Sequence, residues 1–389
     1  MNLLALETSC DETAVAVFNF TTLTTFSILS EQLNSQIELH KEYGGVFPAL
    51  AKREHTKNTY PLIIAALDES NLLQTRQEQI EIPHDLKEKI SLVLDRDAEN
   101  LERLISMFET YKIPAIDALA VTYGPGLEIA LWTGFNIARA LSILWDCELV
   151  PTNHMEGHIY ASLIQKQEDD SFQITLPAFP ALSLLVSGGH TELVLIEQEH
   201  QYKKIGVTQD DAVGEAFDKS ARLIDIPYPG GPQISKLADA FRERGQSSSL
   251  SLPRPMIHSG DLNFSYSGLK TAVRSLVESQ DHITDLFKKE LAFELEEAIT
   301  ETLEKKTSMA IMEYGPTALI LGGGVSANNT IRKRLGALCE ESGIDYFIPD
   351  RKYSGDNAVM IGIAGYRRLV NKKHDPLADR VVGRLSLES

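Results

Sequence analysis

Two histidines lie four residues apart in the string His154-Met155-Glu156-Gly157-His158. On a helix, residues at i and i+4 share one face, which is the spacing that lets two imidazoles bind one metal ion. The glycine favours an exposed helix start. Met155 stands where a zinc protease places its catalytic glutamate, so the string does not favour protease chemistry. The pair is compatible with a metal site and equally with a structural role.

A third metal ligand has to come from elsewhere in the chain, and Asp356 is a candidate. It lies in the turn Ser354-Gly355-Asp356-Asn357, just before an apolar helix predicted for residues 358–366. This local setting favours helix capping, because a carboxylate there accepts hydrogen bonds from the first free N–H groups. As a ligand beside two histidines, it would complete a site with open coordination positions that suits iron(II) or zinc.

Two glycine-rich turns form a second constellation. The string SGGHT at 187–191 links two predicted strands, and its glycines would let backbone N–H groups approach a phosphate closely. A plain hairpin turn explains the same string equally well. The string GGGVSA at 322–327 follows a strand and precedes a helix, where a nucleotide phosphate would meet the helix N-terminus. Its match to the dinucleotide pattern G-x-G-x-x-A is weak, because it comes late in the chain.

Motifs for several other chemistries are missing from the sequence. It contains neither a G-x-x-x-x-G-K-[ST] phosphate loop nor a G-x-S-x-G nucleophile elbow. Cys10, Cys147 and Cys339 are too few for a disulfide framework and form no C-x-x-C pair. We therefore expect a cytoplasmic protein that uses no Ser or Cys nucleophile. We also expect no secretory signal and no membrane span.

The charge balance limits the classes of partner. Across 389 residues, 37 Lys+Arg against 55 Asp+Glu gives 37 − 55 = −18. This acidic excess argues against a uniformly basic nucleic-acid-binding protein but allows a local basic patch. The alternatives for the C-terminal cations are such a patch or a solvated helix face. These cations are Arg367, Arg368, Lys372, Lys373, Arg380 and Arg384.

The elements that must position these residues occur twice along the chain. Apolar alternation predicts strands at 3–7 and 13–20, joined by the polar turn that carries Asp11 and Glu12. From residue 181, a second strand, glycine turn and strand follow, and then helices. Helical spacing also predicts helices at 56–71 and 129–146 and an inserted helical excursion at about 72–113. Together these elements predict a two-lobed α/β fold.

Ten strings, in order, resemble those of one family, the bacterial TsaD type of tRNA N6-adenosine threonylcarbamoyltransferase. They are LETSCDETAVAV (6–17), HKEYGGVFPALAKREH (40–55), YGPGL (123–127), NHMEGH (153–158), LLVSGGHTEL (184–193), DDAVGEAFDK (210–219), YPGGP (228–232), FSYSGLK (264–270), GGGVSAN (322–328) and SGDNAVM (354–360).

The resemblance implies the fold shared by actin, hexokinase and Hsp70, in which each of two lobes is built on a ribonuclease-H-like mixed sheet. The N-terminal lobe would span residues 1–152 and include the helical insertion. The C-terminal lobe would span 153–361 and carry the metal and nucleotide residues. A C-terminal helix and tail, 362–389, would pack back on the N-terminal lobe.

The resemblance also implies roles for individual residues. His154, His158 and Asp356 match the family's metal ligands, which reverses the local preference for Asp356 as a cap. The positions that match the family's adenylate-binding residues are Leu185, Val186, Ser187, Gly188, Gly189, Asp218, Gly231 and Asn328. We add the hypothesis that Asp11 and Glu12 face the cleft and orient the substrate or accept its amine proton. The alternative for these two carboxylates is a turn-forming role.

The implied reaction transfers the threonylcarbamoyl group of threonylcarbamoyl-AMP to N6 of the adenosine just 3′ of the anticodon in tRNAs reading codons that begin with A. The implied cofactor is one divalent metal ion, with iron(II) favoured over zinc. The implied partners are tRNA, an inactive paralogue of the same fold and a P-loop ATPase. The alternative function is an ATPase or small-molecule kinase of the same fold.

Overall fold

The computed structural model describes residues 1–78, 80–374 and 378–388, which contain two β-sheets. The strands of the first sheet are β1 (Asn2–Glu7), β2 (Glu12–Phe20), β3 (Thr25–Ser35), β4 (Ala118–Gly124), β5 (Glu148–Asn153), β6 (Ile164–Lys166) and β7 (Phe172–Ile174). Their spatial order is β5-β4-β1-β2-β3-β7-β6. β1, β2 and β3 pair antiparallel in sequence, whereas β4 pairs parallel with both β1 and β5.

The second sheet repeats this connectivity. Its strands are β8 (Ala181–Val186), β9 (Thr191–Gln198), β10 (Gln201–Val207), β11 (Ala318–Gly322) and β12 (Asp345–Phe347), in the order β10-β9-β8-β11-β12. β8, β9 and β10 pair antiparallel in sequence, whereas β11 pairs parallel with both β8 and β12. The same five-strand order in both sheets confirms the predicted two-lobed α/β class and the repeated hairpins. The β6–β7 pair is an addition to the first sheet.

Helices cover both sheets. They are α1 (Ile37–Lys41), α2 (Pro48–Glu69), α3 (His84–Val93), α4 (Ala98–Thr110), α5 (Glu128–Trp145), α6 (His154–Ala161), α7 (Val213–Arg222), α8 (Gly230–Arg242), α9 (Ser267–Glu278), α10 (Asp285–Tyr314), α11 (Asn329–Ser342) and α12 (Ala358–Val370). Two short 3-10 helices span Gly324–Ala327 and Arg351–Tyr353. In the described parts of the chain, no helix combines the length and apolarity needed to cross a bilayer.

Several helix bounds differ from the sequence expectation. α2 begins eight residues before the predicted residue 56, because Pro48 supplies the fixed backbone angle and needs no hydrogen-bond donor at the first helical position. The predicted excursion at 72–113 does contain two helices, α3 and α4.

The C-terminal helix packs on the first sheet through glycines. A Cβ on Gly362 would lie 2.2 Å from Phe18 Cε2, and one on Gly365 would lie 2.5 Å from Ala120 Cβ. The tail also returns to this sheet, since Val382 N donates to Tyr123 O at 2.8 Å. The lobe boundaries at 153 and 362 stay predictions. β6 and β7, which fall within 153–361, pair with the first sheet.

Candidate metal and substrate site

The ends of two helices bring the predicted metal ligands together. The Asn153 side chain caps α6 by accepting hydrogen bonds from Met155 N and Glu156 N, which places His154 at the first helical position. α12 is capped by Asn357, whose side chain accepts from Met360 N at 2.9 Å. The local preference for Asp356 as the cap is therefore wrong, because its neighbour fills that role.

The close approach of α6 and α12 depends on the glycine between the histidines. A Cβ on Gly157 would lie 3.0 Å from Ile361 Cδ1 and 3.1 Å from Met360 Cγ. A larger side chain would require Ile361 and Met360 to shift. His154 and His158 are 7% and 1% exposed, so the expected exposed helix start is wrong. Tertiary packing buries the two histidines, because α12 covers the face of α6 on which they lie.

The distances among the three side chains suit a single ion. Asp356 Oδ1 lies 3.4 Å from His154 Nε2 and 3.3 Å from His158 Nε2, and the three ligand atoms all lie within 4.8 Å of one another. Ligands about 2.1 Å from one tetrahedral ion are separated by about 3.4 Å. Both ring nitrogens of His158 are buried without a hydrogen-bond partner, which is costly unless a cation engages one of them.

A buried carboxylate at the end of β1 orients His154. Glu7 Oε2 accepts hydrogen bonds from His154 Nδ1 at 3.1 Å and from Thr122 Oγ1 at 2.5 Å, and Glu7 Oε1 accepts from Ser9 N. Because Nδ1 must carry the proton in this bond, Nε2 is the ring nitrogen that faces Asp356 and that would hold a metal ion after losing its own proton. Sequence reasoning missed Glu7. Its only signal was a charge that closes an otherwise apolar strand.

The pKa values of the two histidines shift in opposite directions. Burial alone lowers the pKa of His154, but Asp356 and Glu7 outweigh it and raise that pKa well above its usual value. Burial keeps the pKa of His158 below its usual value despite Asp356. Burial would raise the pKa of Asp356, yet the two histidines hold it far below the usual range. The carboxylate is thus ionised, as a metal ligand must be.

The first glycine turn lies beside this metal group. β8 and β11 are parallel neighbours, so their carboxyl ends, with the turns that follow them, meet at one edge of the second sheet. Burial and the charges of His154 and His158 lower the pKa of His190, in the 187–191 turn, to about 4. A Cβ on Gly322, at the end of β11, would lie 2.9 Å from His158 O. The two predicted constellations therefore form one site.

Open space lies in front of the glycines. A Cβ built on Gly188, Gly189 or Gly324 would meet nothing within 4 Å. Gly323 is different: its φ is +89°, and a Cβ there would lie 2.4 Å from Val186 O. Only glycine therefore lets this loop lie against the end of β8, which carries the predicted Leu185 and Val186.

Three other predicted nucleotide residues already have protein partners. Asp218 Oδ1 accepts from Gly230 N at 2.7 Å and from Gly231 N at 3.3 Å, at the start of α8. Asn328 caps α11 and donates through Nδ2 to Ser235 Oγ on α8, at 2.7 Å. The structure thus gathers Asp218, Gly231 and Asn328 around α8, where their side chains and amides support the loops.

Asp11 and Glu12 lie at the turn between β1 and β2 and differ in setting. The Tyr228 hydroxyl donates to Asp11 Oδ2 at 3.3 Å, and Ser35 Oγ donates to Glu12 Oε1 at 3.2 Å. Burial, with the charges of Asp11 and Asp356, raises the pKa of Glu12 to about 10. At neutral pH the Glu12 carboxyl therefore carries its proton.

A chain of hydrogen bonds from α1 and α2 supports the turn that carries Asp11 and Glu12. Phe47 N donates to His40 Nδ1 at 3.2 Å, so His40 Nε2 carries the proton and donates to Gln36 Oε1 at 3.3 Å. Gln36 Nε2 donates to His55 Nδ1 at 3.3 Å, and His55 Nε2 donates to Cys10 O at 3.1 Å. Burial lowers the pKa of both histidines, which keeps them neutral. Sequence reasoning assigned none of these residues a role.

Comparison with known proteins decides the family. The model of the family "tRNA N6-adenosine threonylcarbamoyltransferase" matches residues 27–80 and 99–363. The protein of that name from Nitrosospira multiformis is 40% identical over 369 residues, which cover 95% of this chain and 91% of that one. Its counterpart from Methylobacillus flagellatus is 38% identical over 374 residues, or 96% and 94% of the two chains. This chain belongs to the tRNA N6-adenosine threonylcarbamoyltransferase family.

Membership in the threonylcarbamoyltransferase family makes this chain a tRNA-modifying enzyme with tRNA as its macromolecular substrate. The family match passes over residues 81–98, which contain α3. Among solved structures, full-length HypF in the phosphate- and nucleotide-bound form has a TM-score of 0.49 and 11% identity, over 95% of this chain and 46% of that one.

Proposed function

We propose that this enzyme transfers the threonylcarbamoyl group of threonylcarbamoyl-AMP to N6 of the adenosine just 3′ of the anticodon in tRNAs reading codons that begin with A, and releases AMP. The single observation that carries this proposal is the group formed by His154, His158 and Asp356 beside an open glycine turn. An activated acyl donor needs alignment and charge stabilisation rather than a nucleophilic side chain.

The proposed cofactor is one divalent metal ion held by His154, His158 and Asp356. Two imidazoles and one carboxylate with open positions favour iron(II) over zinc. When bound, the ion would supply positive charge that polarises the carbonyl of the threonylcarbamoyl group. Glu7 fixes the tautomer of His154, so that its Nε2 presents a lone pair to the site.

The protein's own groups would bind the donor and move the proton. We assign the donor's AMP moiety to the residues at the glycine edge and α8: Leu185, Val186, Ser187, Gly188, Gly189, Asp218, Gly231 and Asn328. The amine N6 attacks the carbonyl carbon, the bond from that carbon to the phosphate oxygen breaks, and the electron pair leaves with AMP. We assign the amine proton to Asp11. Glu12, which carries its own proton, would orient the substrate as a donor.

Partners and location follow from the family resemblance and the charge. We propose that an inactive paralogue of the same fold and a P-loop ATPase assist this enzyme in the cytoplasm. A chain of net charge −18 gains little from nonspecific attraction to phosphate, so help in binding tRNA is physically reasonable.

The deciding experiment mixes the purified chain and candidate partners with threonylcarbamoyl-AMP and unmodified tRNA, and analyses the digested nucleosides by mass. We expect the modified adenosine and an equal amount of AMP. His158→Ala and Asp356→Asn should abolish both the product and metal binding. An enzyme that hydrolyses ATP equally well with and without these substitutions, and makes no modified nucleoside, would instead be an ATPase or kinase.

A further inference from the structure

Two arginines of the C-terminal run of cations are already engaged in ion pairs. Arg367 Nε lies 2.7 Å from Glu199 Oε1, and Arg368 is paired with the fully buried Glu156. These two guanidinium groups tie α12 to neighbouring elements, so their charge is already neutralised. An acidic enzyme that acts on tRNA needs local positive charge to meet the phosphates, and these two arginines do not supply it.

A cavity of about 650 Å³ provides such a place. It lies between the β6–β7 edge of the first sheet and the segment that follows β12 in the second. Four cations line it, Lys166, Arg332, Arg351 and Lys352, against one acidic residue, Asp350. No single stretch of sequence contains this set, because Lys166 lies on β6, Arg332 on α11, and Arg351 and Lys352 on the 3-10 helix after β12.

Two of the four cations have no carboxylate partner among the residues that the structure describes. Arg332 Nη2 donates to Pro349 O and to Ser354 Oγ, both at 2.9 Å, and Arg351 donates to Asn329 Oδ1. Burial and the positive charge of Arg351 lower the pKa of Arg332, as expected when like charges gather.

The two lysines are paired, but in ways that leave them available. Lys166 pairs with Asp170 at 2.6 Å and Lys352 pairs with Glu31, with lysine side chains 61% and 62% exposed. The Lys166–Asp170 pair joins two exposed side chains, so it is weak and screened by salt. The Glu31 side chain is only 18% exposed, but the Lys352 side chain that pairs with it is mostly exposed, so a phosphate that entered the cavity could still reach both ammonium groups.

We propose that this cavity binds a backbone phosphate of the tRNA substrate. The proposal rests on the proposed function only in taking tRNA to be the substrate that must reach the metal group. Arg332 bonds Ser354, two residues before Asp356, so the cavity wall and the metal-ligand loop are joined directly. The planar guanidinium of Arg351 matches the geometry of a phosphate, and the cavity is separate from the glycine edge assigned to AMP.

The test measures the dissociation constant of the full-length chain for unmodified tRNA at several salt concentrations. The variant combines Arg351→Ala with Lys352→Ala, which leaves the structural Arg332 in place. The matched control combines Lys305→Ala with Lys333→Ala, which removes two exposed charges that line no part of the cavity. We expect weaker tRNA binding for the cavity variant and a salt slope smaller by about one for each lost contact. We expect little change for the control.

Single-turnover transfer at saturating tRNA separates this proposal from the proposed function. We expect the cavity variant to keep the transfer rate of the unaltered enzyme and its affinity for threonylcarbamoyl-AMP. We also expect inorganic phosphate to compete with tRNA less effectively for the variant than for the unaltered enzyme. Equal tRNA affinity or equal salt slope for the variant and control would overturn the proposal, as would failure of the unaltered chain to bind tRNA when the candidate partners are present. An unaltered enzyme that binds tRNA through the cavity but transfers no group would refute only the proposed reaction.

Discussion

Replacing Glu7 by glutamine should weaken metal binding without touching a ligand. Both carboxylate oxygens accept hydrogen bonds, one from Ser9 N and the other from Thr122 Oγ1 and His154 Nδ1. A glutamine must turn its NH₂ group toward at least one of these donors, and Glu7 is 0% exposed, so no water restores the lost bond. Loss of a buried hydrogen bond to a charged group costs about 1.5–3 kcal/mol.

That cost sets the size of the expected effect. If it falls on the orientation of His154, metal affinity drops about 10- to 100-fold, which is about 1.4–2.8 kcal/mol. Competition with a chromophoric chelator, using iron(II) without oxygen and zinc separately, measures the change. Ser9→Ala removes only a neutral contact 3.2 Å from His154 Nδ1 and should have a smaller effect. Glu54→Gln, at an 8% exposed carboxylate away from the ligands, is the charge control.

The outcome that refutes this reasoning is specific. Unchanged metal affinity in Glu7→Gln would mean that Glu7 does not fix the tautomer of His154. A loss equal to that in Glu54→Gln would mean that net charge, not orientation, governs binding. Thermal unfolding of the metal-free variants separates both outcomes from simple destabilisation of the fold.

Four further predictions concern the turn and the helices around the site. Asp11→Asn should slow single-turnover transfer by roughly 100-fold or more, whereas Glu12→Gln should retain most of the rate, and the reverse ranking would exchange the two roles. Because the pKa of Glu12 is raised to about 10, the folded, metal-free protein keeps a proton that the unfolded chain loses above about pH 4.5. Its unfolding free energy should therefore fall by up to about 1.4 kcal/mol per pH unit between about pH 5 and 9, and urea titrations should show this contribution missing in Glu12→Gln. His55→Ala should lower kcat with little change in the KM for tRNA. His55→Gln should restore part of kcat, because the glutamine amide can donate to Cys10 O as His55 does. If His55→Ala changed only the thermal stability, His55 would have only a structural role. Gly157→Ala should lower the unfolding free energy by about 1–3 kcal/mol in denaturant titrations, because its Cβ would meet Ile361 and Met360 at about 3 Å. Unchanged stability would show that these two side chains can move aside without cost.

Local patterns in the sequence were sufficient to predict the main strands and helices and the two histidines of the metal group. Alternation of apolar residues predicted the hairpin of β1 and β2 and its repeat in β8 and β9, because side-chain direction along a strand has a period of two. The four-residue spacing of His154 and His158 likewise predicted that they share one face of α6, because a helix turns once in about 3.6 residues. The ten strings also indicated the family that the comparisons then showed.

Only the tertiary structure decided which distant side chains meet. Glu7 and His154 are 147 residues apart in the chain, and nothing in either local pattern encodes their hydrogen bond. The capping role passed from Asp356 to Asn357, and α12 buried the histidines that the sequence left exposed. The cationic cavity likewise exists only where the β6–β7 edge of the first sheet meets α11 and the segment after β12. The physical reason is that periodicity fixes the face a residue occupies, whereas partners across the chain are fixed by how whole elements pack.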